Sequence, residues 1–139
     1  MQLVFLRNAE CALMGYRFRP EGQLISSLAA GFPATTTTVL VAATQLPLTF
    51  YRVGVFRMVL VARGASSFQF KDTAGNNISA IYTLTAAGST VTLDTPINGD
   101  PWWMTGPNFA SPNNPLGVGL SLAVGAAIVD ADIWFAFGA

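Results

Sequence analysis

Apolar and polar positions alternate in short bursts along this chain, separated by Gly, Asn and Pro, and that rhythm is strand-like rather than helical. The longest burst is residues 50–62, FYRVGVFRMVLVA, whose Val53, Val55, Phe56, Val59 and Val61 suit a pleated sheet. Arg52 and Arg57 are five positions apart, hence on opposite faces of a regular strand. A bulge between them would return both to one face, and Gly54 is the expected place for it.

Shorter strands are predicted on either side. Residues 35–43, TTTTVLVAA, form one, ended by Pro47. Residues 67–71, SFQFK, alternate cleanly, and the following DTAGNN is turn chemistry, so SFQFK and ISAIYTLT form a hairpin. Ala86-Ala87-Gly88 turns the chain into a short strand at 90–93. Residues 117–124 alternate through Val118, Leu120, Leu122 and Val124. In the last strand Asp130, Asp132, Trp134 and Ala136 share one face, with Val129, Ile133, Phe135 and Phe137 on the other. Regularly spaced strands with turns between them predict an all-β fold: an antiparallel β-sandwich, jelly-roll-like, of six to eight strands over residues 35–139.

Residues 1–34 have a different character, with Pro20, Gly22, Gly31 and Pro33 breaking up a stretch rich in Arg and apolar side chains. They read as an irregular arm, with a short helix over GQLISSLAAG ended by Gly31. A first strand plus a loop is the other reading. The arm carries Phe5, Arg7, Tyr16, Arg17, Phe18 and Arg19, the residue types that anchor partners. Residues 94–115 are the most irregular stretch. Trp102, Trp103 and Phe109 there either close a subunit seam or the open end of the sandwich, or present a ligand-binding loop.

Composition narrows the function. Charged residues are 10% of the chain against 52% hydrophobic, so a lone monomer would expose large apolar patches, and assembly with copies or partners is expected. Net charge is zero, which points away from nucleic acid and from anionic membranes. The charge is uneven: residues 1–63 hold six Arg and two Glu, while the remainder holds one Lys and five Asp. Such asymmetry can orient docking. No stretch reads as a targeting segment or a transmembrane helix. Cys11 is the only cysteine, so no internal disulfide forms and a packing role is expected.

The chain has no His, no phosphate-binding Gly loop and no supported Ser–Lys pair, so it is not expected to be an enzyme or to need a cofactor. Asp130 and Asp132 are a weak calcium candidate that would need oxygens from Asp94, Asp100 or loop carbonyls. A solvated face, or pairing with an Arg of a neighbouring copy, is the simpler reading of the two acids.

The order of features over residues 36–138 resembles a class of small β-sandwich proteins encoded among the structural genes of tailed bacteriophages. The resemblance rests on Phe68-Gln69-Phe70 before a polar turn, on Ala86-Ala87-Gly88, and on Gly119-Leu120-Ser121-Leu122 before a final aromatic strand. This chain departs from the pattern in its longer 94–115 segment and in residues 1–34. The resemblance implies a virion component made in the host cytoplasm: a capsid decoration (cement) protein, often a homotrimer, bound to the major capsid protein, or a tail or fibre module. It implies no catalytic residues.

Overall fold

A computed structural model describes residues 26–46, 52–106 and 118–138. Within them lie nine strands: β1 (Ser26–Phe32), β2 (Thr37–Val41), β3 (Arg52–Ala62), β4 (Ser66–Asp72), β5 (Tyr82–Leu84), β6 (Thr90–Leu93), β7 (Trp103–Met104), β8 (Leu120–Val124) and β9 (Val129–Gly138). A 3-10 turn at Ala43–Gln45 follows β2, where Gln45 Oε1 accepts from the Ala42 amide.

Two antiparallel sheets form. The front sheet has the order β1-β9-β3-β6, with β7 also paired to β3, and the back sheet has the order β2-β8-β4-β5. Four pairings are nested: β1 with β9, β2 with β8, β3 with β6, and β4 with β5. The chain is thus one long antiparallel ribbon, folded at the β4–β5 tip and wrapped so that β9 meets β3 and β8 meets β4. That is the jelly-roll arrangement of two Greek keys. Taken together, β6 and β7 are one interrupted strand, which brings the nine to the eight of a jelly roll.

The core is the space between the sheets. Phe32, Val53, Val55, Met58 and Leu60 of the front sheet meet Phe68, Phe70, Leu120 and Leu122 of the back sheet. Ile133, Ala131 and Val129 of β9 point inward with them, as the alternation predicts.

Strand β1 corrects part of the arm reading. Ser26–Phe32 pairs with β9 over seven residues, so no helix forms at 26–31 and this segment belongs to the sandwich. The spacing of Leu24, Ile25 and Leu28 covers barely one turn, too short to nucleate a helix against seven ladder pairs. Gly31 sits in the strand opposite Asp130 instead of capping a helix.

The bulge in β3 falls at Phe56 and not at Gly54: Val55 faces Phe135, and Arg57 already faces Trp134. Gly54 instead pairs regularly on both sides, with Ala136 and Met104. The extra residue lies between Arg52 and Arg57, so both reach the outer face of the front sheet. Phe56 and Ala136 form a small buried cluster apart from the main core.

Candidate interaction surface

One open side of a sandwich must be closed where its sheets part, and here four rings close it. Trp103 of β7 points inward from the front sheet and packs on Phe70 of β4 at 5.1 Å and on Tyr82 of β5 at 5.8 Å. Tyr82 stacks on Phe68 at 5.1 Å, and Phe68 meets Phe70 edge-on at 6.3 Å. Each pair contributes beyond its area, by about 0.5–1.5 kcal/mol.

Next to this plug the surface is apolar. Ile81 is 65% exposed and Tyr82 39%. Trp102, the neighbour of the plugging Trp103, is 45% exposed, and Met104 is 46% exposed. Trp103 is therefore half-buried against the core, whereas Trp102 is available to a partner.

Residues 94–100 rise from the same edge. Leu93 pairs with Met58 and Trp103 with Val55, ten residues on one strand against three on the other. The surplus is a protruding loop, closed at its base where Trp102 Nε1 donates to the Asp94 carbonyl at 2.7 Å. Ends held together around a compact turn define an Ω-type loop.

Polar groups continue the surface over the outer face of the front sheet. The Arg57 guanidinium lies 4.6 Å from the centre of the Trp134 ring, with its Nε 3.9 Å from Asp94 Oδ1. Arg52 Nη1 approaches Met104 Sδ at 3.8 Å. Arg, Trp and Met on this face are types enriched at protein interfaces.

The acidic pair on β9 does different work. Asp130 takes both prongs of Arg63, Nε to Oδ2 at 2.7 Å and Nη2 to Oδ1 at 2.8 Å. Its partner is thus an Arg of its own chain and not of a neighbour. Arg63's hydrogen bonds and charge hold the Asp130 carboxyl below the usual aspartate value, while burial opposes the shift. Among the described residues no group of three or more His, Cys, Asp or Glu comes together, so the calcium candidate Asp130 and Asp132 gains no further acidic ligand there.

Phe5, Arg7, Tyr16, Arg17, Phe18 and Arg19 lie outside the described residues, as does Phe109. Sequence reasoning missed Ile97, Ile81 and the ring made by Tyr82. Ile97 stands in a Pro–Ile–Asn–Gly turn, and a large apolar residue inside strong turn chemistry was the available signal. Also among the described residues, no helix is long and apolar enough to cross a membrane. In comparisons with known proteins, no family model, no curated protein and no solved structure matches the chain.

Proposed function

We propose that this chain is a structural virion protein of a tailed bacteriophage, a capsid decoration (cement) protein that forms a homo-oligomer on the shell and stabilises it. The observation that carries the reading is the apolar, aromatic side of the sandwich, with Ile81, Tyr82, Trp102 and Ile97 facing water on a chain only 10% charged. A surface of that kind is an interface in waiting. The jelly roll is a recurrent scaffold of viral capsid and lectin domains, which supports the reading without assigning it. The resemblance over residues 36–138 supplies the phage context and the trimer.

In this reading the aromatic side joins copies of the chain. The arm residues Phe5, Arg7, Tyr16, Arg17, Phe18 and Arg19 reach the major capsid protein. Neither nucleic acid nor membrane takes part, and no catalysis is involved. Counting copies of the chain in purified particles by quantitative mass spectrometry tests the placement: hundreds mean the shell, a few mean the tail, and none overturns both. Deleting residues 1–20 should abolish shell binding and leave an oligomeric sandwich.

One observation favours a second reading, in which a tail or fibre module contacts a host glycan or protein through the loop of Trp102, Trp103 and Phe109. The indole of Trp102 is half exposed and fixed by its hydrogen bond to Asp94, as a stacking platform would be. Trp102→Ala should then reduce adsorption to host cells while particles retain the subunit. Particles that shed the subunit support the shell role instead.

A further inference from the structure

Ile97 stands fully in water, the most exposed large apolar side chain among the described residues. It is also held in place. The Trp102–Asp94 bond closes the loop, Gly99 N donates to the Pro96 carbonyl at 3.1 Å, and Asp100 N donates to Asn98 Oδ1 at 3.0 Å. Gly99 has φ +81°, the left-handed turn geometry that glycine accepts without strain. A preorganised loop loses little entropy on docking. Protecting the sheet edge would need only the interruption and its two carboxylates. An isoleucine at the tip calls for a socket.

Charge decides the kind of socket. The loop carries no basic residue and two acids, Asp94, which is paired with Arg57, and Asp100, which has no ion pair among the described residues. A two-fold contact of the loop with itself would set like charges together. The contact must therefore be with a different, positive surface. Of the three described arginines, Arg57 holds Asp94, Arg63 holds Asp130, and Arg52 lies against Met104 of β7, on the same edge of β3 from which the loop itself rises. The outer face of the back sheet offers the alternative. Its register places Val39, Ser121 and Lys71 in one row across β2, β8 and β4. Val39 is 55% exposed, Ser121 is a buried floor, and Lys71, the chain's only lysine, is at the other end. Two strand spacings make this row about 10 Å long. Ile97 and Asp100 flank the turn closed by Gly99 N and the Pro96 carbonyl, so their backbones lie closer than the extended limit of about 10 Å and their side chains supply the rest of the reach.

We propose that the Ile97 loop docks on the outer face of the back sheet of a second copy of this chain, Ile97 on Val39 and Asp100 on Lys71. The inference rests on the self-association in the reading above and makes that association head-to-tail. A head-to-tail contact closes into a ring, such as the trimer, or runs on as a filament.

Sedimentation velocity on the purified full chain over a concentration series tests it. Ile97→Asp, Lys71→Asp and Asp100→Lys should each raise the dissociation constant of self-association at least ten-fold, with a thermal midpoint that matches wild type at concentrations where both are monomeric. The double variant Lys71→Asp/Asp100→Lys should recover most of the affinity. In a Cys11→Ser background, Ile97→Cys mixed with Val39→Cys should cross-link on oxidation, and neither should cross-link alone. An oligomeric wild type with Ile97→Asp unaffected overturns the docking and leaves the oligomer standing. A loss with Ile97→Asp but no effect of Lys71→Asp and no cross-link in the mixture overturns the assigned face. A wild type that stays monomeric throughout overturns self-association itself, and this contact with it.

Discussion

Arg63 and Asp130 are joined by two parallel hydrogen bonds, 2.7 and 2.8 Å long, that tie the end of β3 to the start of β9. Opposite them in β1, Gly31 leaves the room they need: a Cβ there would stand 3.1 Å from Asp130 Oδ1. The Asp130 carboxyl titrates below its ordinary value in the fold, so its contribution is present at neutral pH and is lost as pH falls through that lowered value. Arg63, shifted upward by the same contact, stays charged throughout this window.

The pair is solvent-facing, which bounds its effect. Arg63→Ala should lower the thermal midpoint slightly at pH 7 in low salt. The difference from wild type should shrink in about 1 M salt, where screening reaches about 3 Å. It should vanish below the lowered Asp130 value. A difference that survives once Asp130 is protonated would mean that the arginine stem acts by packing.

Thr105 is wholly buried and fully bonded. Its hydroxyl accepts from the Val53 amide at 2.8 Å and donates to the Val118 carbonyl at 3.1 Å. Thr105→Val keeps the shape and strips both bonds, leaving buried groups that cost about 1–3 kcal/mol each. Chemical denaturation should show that loss, and Thr105→Ser should restore most of it.

The two tryptophans should separate stability from association. Trp103→Ala empties the ring cluster with Phe70 and Tyr82, a loss of about 3 kcal/mol for a partly buried indole. Trp102→Ala should change stability by under about 1 kcal/mol, since it forfeits one surface hydrogen bond. It should weaken self-association instead. Denaturation and sedimentation on the two variants read both arms.

Gly119→Ala should not fold. A Cβ at that position would collide with the Val41 carbonyl oxygen and lie 2.8 Å from Thr73 Cγ2. The Gly119 carbonyl and amide are also bonded to Thr73, at 3.0 and 2.9 Å, so the backbone has nowhere to retreat. A loss above about 4 kcal/mol is expected, read as failure to recover soluble protein.

The strands with the clearest alternation were legible from sequence. β4, β8 and β9 lie where their patterns put them, and the DTAGNN turn forms as an Asx turn, with Asp72 Oδ1 accepting from Ala74 N and Asn76 N. What escaped was set by distant partners. SSLAAGF has small residues of weak strand preference, and its state is decided by β9, far along the chain. The bulge went to Phe56 because register with β9, and not glycine's freedom, chose its place. The interaction surface was half legible. The Trp pair stands out in the sequence, yet inward and outward tryptophans are adjacent, and the β7 register is what tells them apart.

The nested pairing has a consequence during synthesis. Among the described strands only the β4–β5 hairpin can form from neighbouring sequence, whereas Ser26 of β1 waits for Phe135 of β9, more than a hundred residues later. At about 5–20 residues per second, β1 is without its partner for roughly 5–20 s. Topologies of such high contact order also fold slowly once complete. In that interval no finished copy can lend its β9, which already lies between its own β1 and β3, so the front sheet closes last and from within the chain.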